Sequence, residues 1–153
     1  MITVKDLLSR KGRSTICIKP DNTVCEALRV MAINDIGALL VVENEELKGI
    51  FSERDYARKV VLAGKSERTT AVREVMVTRL ASVTPGDKVE ACMKLMTDRH
   101  IRHLPVFENG DLIGIVTIGD VVKDVIEQQK MTINNLEQYI SGGYLPASQE
   151  KYC

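Results

Sequence analysis

The sequence predicts an α+β protein in which one β-α-β-β-α unit occurs twice in tandem, followed by a short C-terminal helix. An internal repeat is the first observation, because residues 15–61 match residues 80–126 at a constant offset of 65 without a gap. The second is that residues 49–55 and 114–120 share one motif, which runs Gly, two apolar residues, Ser or Thr, two residues, Asp. The third is that helical and strand patterns alternate in the same order in both copies. Together they indicate a duplicated fold.

The repeat is carried by core and turn positions. Upstream of it, residues 4–8 resemble residues 72–76 at an offset of 68, so repeat 1 has about three extra residues in the loop 9–14. Loops tolerate such insertions. Identical residues occupy equivalent positions at Pro20/Pro85, Met31/Met96, Leu39/Leu104, Asn44/Asn109, Gly49/Gly114 and Asp55/Asp120.

Each element of repeat 1 has its own signal. Thr3 and Asp6 form a capping signal for a short helix that ends before Gly12, and a basic loop follows at Arg10, Lys11 and Arg13. A strand at 16–19 precedes a helix at 23–33 with the 3.6-residue apolar period. The continuous branched apolar run 36–42 predicts a buried strand, and a turn at 43–46 pairs it with the strand 47–52. A helix at 55–63 closes the repeat.

Repeat 2 follows a polar linker at 64–70. Its predicted elements are a short helix 71–76, a strand 81–83, a helix 88–98, a strand 101–107, a strand 112–117 and a helix 120–129. In the tail, a helix at 132–141 carries Ile133, Leu136 and Ile140 on one face. That helix is too short to be stable alone, so it must pack on its own core or on a second chain. Gly142, Gly143 and Pro146 are expected to end the ordered structure, and the last residues to be frayed.

Chain length sets the domain organisation. A repeat of about 60 residues is marginally stable by itself. We therefore expect 1–67 and 68–129 to fold as one module, with 130–153 as a C-terminal helix and tail. The net charge is zero and 27% of residues are charged, which argues against a nucleic-acid or acidic-membrane partner. The longest apolar run, 36–42, is too short to span a bilayer, and no signal-peptide pattern opens the chain, so we expect a cytoplasmic protein.

The four cysteines predict reduced thiols. Cys17, Cys25, Cys92 and Cys153 form no CxxC pair and do not follow the repeat, and Cys153 is expected to be exposed. His100 and His103 have no cysteine or carboxylate partner at ligand spacing, so no metal site is expected.

The duplicated unit resembles the CBS-domain pair, also called the Bateman module, over about residues 1–129. The sequences of residues 36–41, 51–57 and 101–106 are similar to those of small stand-alone bacterial members. The resemblance implies two repeats packed sheet to sheet about a pseudo-twofold axis. It also implies a homodimer of two chains, and clefts between repeats that bind an adenosine-containing ligand: AMP, ADP, ATP, S-adenosylmethionine or NAD.

The motif has a chemistry of its own. The hydroxyl of Ser52 or Thr117 can donate to a phosphate oxygen, and Asp55 or Asp120 can accept from both hydroxyls of a ribose. Neighbouring Ile50 and Ile115 can sandwich an adenine. Ser/Thr-x-x-Asp before an apolar helix is equally a capping box, and one Asp can serve both purposes.

By the family pattern, each cleft combines the two repeats. The second-motif cleft would join Ile115, Thr117, Gly119 and Asp120 to Arg13, Gly37 and Ala38. The first-motif cleft would join Ser52, Arg54 and Asp55 to Thr78, Arg102 and His103. Arg54 could fill the first-motif cleft or neutralise a phosphate there. Because Gly37 and Gly119 leave the second-motif cleft open, the sequence favours that cleft. Arg13 and Arg102 are the candidate phosphate ligands, with solvated surface arginine as the alternative.

No enzyme signature is present. Neither histidine has an orienting partner, and no P-loop or Gly-x-Gly-x-x-Gly motif occurs, so neither a catalytic residue nor a catalytic cofactor is expected. The sequence therefore predicts a regulatory module that senses an adenosine nucleotide and signals through a homodimer to a partner protein. The alternative is a structural adaptor with no nucleotide bound.

Overall fold

The structure, a computed structural model, describes residues 2–141. The expected chain end at Gly142, Gly143 and Pro146 and the expected exposure of Cys153 lie outside these residues. The first half of the described chain contains helix α1 (Val4–Lys11), strand β1 (Cys17–Ile18), helix α2 (Val24–Asn34), strands β2 (Ala38–Glu43) and β3 (Glu46–Ser52), and the short helix α3 (Glu53–Asp55). The second half contains helix α4 (Val89–Arg99), strands β4 (His103–Glu108) and β5 (Asp111–Thr117), and helix α5 (Ile118–Ser141).

The two repeats form two small sheets. In repeat 1, β1 runs parallel to β2, and β2 is antiparallel to β3. In repeat 2, β4 and β5 form a matching antiparallel hairpin. Each hairpin turns on two residues with positive φ. The first of the two is an asparagine in both hairpins, Asn44 with φ of 51° and Asn109 with φ of 52°. Asparagine tolerates this left-handed conformation, which type I′ hairpins require.

The predicted strand at 81–83 is wrong, and a proline explains why. Only Val83 pairs with the sheet, through one parallel bridge to Val106. In repeat 1, the Leu40 amide donates to the Ile16 carbonyl at 3.4 Å and helps to hold the first strand. The residue equivalent to Leu40 is Pro105, which has no N–H to donate. The residue equivalent to Ile16, Ala81, therefore lacks this hydrogen bond and the strand shortens to a single bridge.

Four helix predictions also need correction. The predicted helix 71–76 is a single 3₁₀ turn, Val72–Glu74. The predicted helix 55–63 begins at Glu53 and continues as a π-helix, Tyr56–Val61. The predicted helices 120–129 and 132–141 are one continuous helix, α5, because no glycine or proline interrupts residues 120–141. Arg10 and Lys11, expected in a loop, form the last turn of α1.

The two repeats exchange their first segments. Helix α1 contributes Val4, Leu7 and Leu8 to the core of repeat 2, where they pack with residues such as Leu104 and Val116. In the same way, Val72 and Val75 complete the core of repeat 1. A third cluster joins the repeats directly and contains Ala38, Leu40 and Ile50, with Leu112 and Ile115 against it. Each core thus depends on residues from both parts of the chain.

Backbone hydrogen bonds hold the exchanged segments in equivalent ways. The Val4 amide donates to the Asp87 carbonyl at 2.8 Å, and the Val72 amide donates to the Asn22 carbonyl at 2.9 Å. The isolated bridges Thr3–Lys88 and Thr23–Ala71 form a second equivalent pair. The contacts of α1 therefore recur at the 3₁₀ turn, as a pseudo-twofold arrangement of the repeats requires.

The motif glycines are required by these segments. A Cβ on Gly49 would lie 2.7 Å from the Val77 carbonyl oxygen and 2.9 Å from the Met76 sulfur. A Cβ on Gly114 would lie 2.9 Å from a methyl carbon of Leu8. Leu8 and Met76 are equivalent in the repeat, so one close approach accounts for both glycines.

Gly49→Ala is expected to lower the free energy of unfolding by about 1–3 kcal/mol, because the added methyl group meets a backbone carbonyl that cannot rotate away. Gly114→Ala should cost less, because the obstructing Leu8 methyl group can move. Gly86→Ala is the control, since nothing lies within 4 Å of its Cβ position. Urea denaturation measures all three. Equal losses for Gly49→Ala and Gly86→Ala would contradict the close-approach explanation.

Candidate functional site

The first motif closes strand β3 with a complete capping box. The Ser52 amide and hydroxyl both donate to Asp55 Oδ2, at 3.0 and 2.9 Å, and the Asp55 amide donates back to the Ser52 hydroxyl at 3.2 Å. The other oxygen, Asp55 Oδ1, pairs with Lys59 Nζ at 3.3 Å. Capping, the alternative considered from the sequence, therefore describes how Asp55 is used in this structure. Asp55 is buried, and its carboxylate is held in one orientation.

Lys59 connects this motif to the exchanged segment. Its ammonium also donates to the Val75 carbonyl at 3.1 Å, so it bridges Asp55 and the segment that packs into the core of repeat 1. Lys59 belongs to the π-helix that follows Asp55. π-Helical turns occur frequently at functional sites. Here the π-helix contributes Arg58 and Lys59 to the lining of the cavity next to Asp55.

A cavity of about 1170 Å³ opens beside this motif, between the two repeats. Of the predicted site residues it is lined by Gly37, Ser52, Arg54, Asp55, Arg102 and His103. Its apolar lining includes Ile50, Val77, Leu80, Met96 and Ile101. Thr78 is exposed, and its neighbours Val77 and Arg79 line the cavity in its place. Gly37 was expected at the other cleft, but its carbonyl accepts from the Glu53 amide at 3.0 Å, which holds it at this one.

The cavity wall carries a strong excess of positive charge. Six of the lining residues are Arg or Lys and two are Asp or Glu. The cationic residues are Arg54, Arg58, Lys59, Arg79, Arg99 and Arg102. The protein as a whole has a net charge of zero, so this local excess of four positive charges is a property of the cavity. A concave site lined by cations attracts an anionic ligand.

Arg54 and His103, two of the predicted site residues, have distinct surroundings in this wall. Arg54 Nη1 donates to the His100 carbonyl oxygen at 3.2 Å, so its guanidinium spans from repeat 1 to the rim of repeat 2. Burial lowers the pKa of His103, and the Arg102 guanidinium lowers it further. His103 is therefore neutral at pH 7, and one of its ring nitrogens can accept a hydrogen bond.

Sequence reasoning missed four of the six cations: Arg58, Lys59, Arg79 and Arg99. Arg58 and Lys59 follow the motif by three and four residues, which is a detectable signal because such residues lie one helical turn beyond Asp55. Arg79 comes from the loop between the 3₁₀ turn and α4, and Arg99 from the end of α4. No spacing in the sequence relates those two positions to Asp55.

The second motif is engaged by a lysine from α1. The Thr117 amide donates to Asp120 Oδ2 at 2.9 Å, and the Asp120 amide donates to the Thr117 hydroxyl at 3.2 Å. Lys11 Nζ lies 2.5 Å from the same Asp120 oxygen and also donates to the Ile115 carbonyl at 2.9 Å. Arg10 holds the end of α1 nearby through an ion pair with the buried Asp124 at 3.2 Å.

The other residues predicted for the second-motif cleft are partly exposed and partly packed between the repeats. Arg13 is exposed in the loop after α1, while Lys11 makes the contact to Asp120. Ala38 is buried in the cluster between the repeats, and Ile115 packs against that cluster. Gly119 is exposed in the first turn of α5. A lysine pairs with the aspartate of each motif, Lys59 with Asp55 and Lys11 with Asp120. Because the basic cavity opens beside Asp55, the geometry favours the first-motif cleft, whereas the sequence favoured the second.

Residues 2–141 contain no group of three or more His, Cys, Asp or Glu side chains that could hold a metal ion. Within the same residues, no helix combines the length and the hydrophobicity that a membrane-spanning segment needs.

Comparisons with known proteins agree on one family. The sequence model of the CBS domain matches residues 4–62 and 72–127. The chain is 40% identical over 151 residues to the mitochondrial CBS domain-containing protein CBSX3 of Arabidopsis thaliana, covering 93% of this chain and 73% of that protein. It is 36% identical to the CBS domain-containing protein YhcV of Bacillus subtilis over 121 residues, 79% of this chain and 84% of the relative.

Solved structures show the same likeness. A CBS-domain protein of Burkholderia ambifaria, described as a putative signal-transduction protein, superposes with a TM-score of 0.80 at 44% identity and covers 83% of this chain and 96% of its own. The CBS-domain pair of protein MJ0100 matches at 22% identity with a TM-score of 0.73, covering 84% of this chain and 98% of its own. That structure holds 5′-methylthioadenosine and S-adenosyl-L-methionine. At such identity the likeness shows the fold alone.

Proposed function

Because this chain belongs to the CBS-domain family, we propose that it is a regulatory module that senses an adenosine nucleotide in the first-motif cleft. CBS-domain pairs are generally regulatory ligand-binding modules. The observation that carries the finer proposal is the cavity beside Asp55, which combines an apolar wall with an excess of four positive charges. A nucleotide has the same two parts, an apolar base and an anionic phosphate chain.

The lining residues suggest how each part would be held. Ile50, Val77 and Leu80 offer apolar surfaces for an adenine. Asp55 lies at the end of β3, where its fixed carboxylate can accept from ribose hydroxyls if Lys59 gives way. The guanidinium groups of Arg54 and Arg102 suit phosphate oxygens, because they donate two parallel hydrogen bonds.

Charge ranks the candidate ligands. Each phosphate adds negative charge, so the cationic wall favours ATP and ADP over AMP, with NAD as a further anionic candidate. S-adenosylmethionine carries a sulfonium cation and lacks phosphate, so we expect this cleft to bind it more weakly. The CBS-domain pair of MJ0100 binds two adenosine compounds, which supports an adenosine ligand for this chain. The preference for phosphate rests on the cationic wall of this cavity.

We propose that the module signals as a cytoplasmic homodimer without catalysing a reaction. Equivalent helices of both repeats expose apolar side chains, with Val61 53% and Ile126 46% exposed, which supports a paired surface. The described cysteines Cys17, Cys25 and Cys92 are free, as suits a reducing compartment. Ligand binding between the repeats would favour one of two relative positions of the repeats. The equilibrium between these positions can shift only as far as the difference in the ligand's affinity for them allows. The regulated protein is a further partner.

A structural adaptor is the second candidate, and the capping boxes favour it. Asp55 and Asp120 both accept from their own motif, and Lys59 and Lys11 neutralise them without any ligand. On this alternative, the clefts serve only to position the repeats and the surface binds a partner protein.

A thermal-melt screen against AMP, ADP, ATP, NAD, NADH, S-adenosylmethionine and GTP separates the two functions. A ligand at 100 times its Kd stabilises by about 2.7 kcal/mol, which should raise the Tm of about 150 residues by roughly 5–11 °C. We expect the largest shift with ATP or ADP and none with GTP. No shift with any compound would favour the adaptor, and conversion of the ligand during incubation would contradict the non-enzymatic assignment.

A further inference from the structure

The last half of α5 leaves the body of the protein. Val121 and Asp124 are buried against the core, and Val125 and Gln128 are partly buried. From residue 129 to residue 140 every side chain is exposed. A helix of about 12 residues is marginal in water by itself. This segment therefore lacks a packing partner within residues 2–141.

The exposed segment carries a seam of the coiled-coil type. Apolar side chains continue along one line of α5, at Val122, Ile126, Ile133, Leu136 and Ile140, with Gln129 completing the line. Successive members are separated alternately by four and three residues. This spacing is the a/d pattern by which helices pair, knob into hole.

We propose that residues 129–140 of α5 pair antiparallel with the same segment of a second copy of this chain. In this register, Ile133 lies opposite Leu136 of the second copy, and Leu136 lies opposite Ile133. Lys130 and Glu137 both occupy e positions of the heptad, which face each other in an antiparallel pair. Lys130 of each copy therefore lies beside Glu137 of the other, which gives two opposite-charge pairs. The parallel alternative places Thr132 beside Glu137 and Val125 beside Lys130, which gives no ion pair.

The antiparallel arrangement separates the two globular bodies. The overlapping segments span about 17 Å at 1.5 Å per residue. An antiparallel pair places the two globular bodies at opposite ends of that overlap, since each body meets its own helix before residue 129. The pairing rests on the proposed homodimer and gives it a contact through the ends of α5, as an alternative to the surface of Val61 and Ile126, and it does not depend on nucleotide binding.

Charge reversal tests the register, with sedimentation velocity of the full chain over a range of concentrations as the measurement. Lys130→Glu and Glu137→Lys should each raise the Kd of self-association, by about 2- to 30-fold from two surface ion pairs. The double variant should restore it. Ile133→Glu should remove this contact. All of these residues are exposed, so the variants should melt like the wild type.

The outcomes separate this surface from the homodimer itself. A wild-type chain that sediments as a single copy at every concentration would overturn both. Association unchanged by Ile133→Glu would overturn the α5 pairing and leave a homodimer through another surface. A double variant no better than the single variants would overturn the antiparallel register.

Discussion

Leu8→Ala is expected to lower the free energy of unfolding by about 2–5 kcal/mol, the usual cost of removing a buried leucine side chain. Leu8 is 1% exposed and lies in the core of repeat 2, although it belongs to the first helix of the chain. The loss should destabilise repeat 1 as well, because the two repeats share their exchanged segments. Urea denaturation followed by circular dichroism measures the loss.

Leu62→Ala provides the matched control. Leu62 is 80% exposed, so the same chemical change should alter stability by no more than about 0.5 kcal/mol. Amide hydrogen exchange at Phe51 and Leu104, one in each core, then reports whether Leu8→Ala weakens both repeats. Faster exchange at Leu104 alone would contradict the interdependence of the two cores.

Arg79→Ala is expected to weaken binding of ATP or ADP by about 10- to 150-fold, the effect of losing a hydrogen bond to a charged group. Arg79 lines the basic cavity from the segment that follows the Ile50–Val77 bridge. Its side chain is exposed, so the folded protein should keep its stability. Isothermal titration calorimetry with the nucleotide found by the melt screen measures the change.

Arg13→Ala is the control that identifies the cleft. Arg13 is an exposed arginine that the sequence assigned to the second-motif cleft. If the first-motif cleft binds the nucleotide, Arg13→Ala should leave the Kd within about twofold. The reverse pattern, with affinity lost in Arg13→Ala and retained in Arg79→Ala, would move the ligand to the Asp120 cleft.

The repeat made most of this fold predictable. A fixed offset of 65 residues relates the two hairpins, the capped motif and the glycines Gly49 and Gly114, and each carries a local signal of turn or capping chemistry. The predicted strand at 81–83 is wrong because Pro105, which is distant in sequence, has no N–H to donate to the Ala81 carbonyl. The break predicted between residues 129 and 132 is wrong because the polar residues Gln129 and Lys130 interrupt the apolar pattern, whereas the backbone of α5 continues without a glycine or proline.

The site was less predictable than the fold. Ser52, Asp55, Arg54, Arg102 and His103 follow from the motif and its counterpart, and the structure places all five at one cavity. Lys11 could not be assigned to Asp120 from the sequence, because that contact depends on where α1 crosses to repeat 2. The charge of the cavity is equally a three-dimensional property, since Arg79 and Arg99 reach it from different segments.

The exchange of first segments sets the order in which a newly synthesised chain can fold. Helix α1 is synthesised before the residues on which it docks, which include Asp87, Leu104 and Val116. Repeat 1 can close once Val72 and Val75 have emerged, because they complete its core. Helix α1 must therefore wait, uncovered, until most of repeat 2 has been synthesised. A chain interrupted before repeat 2 leaves Leu7 and Leu8 exposed.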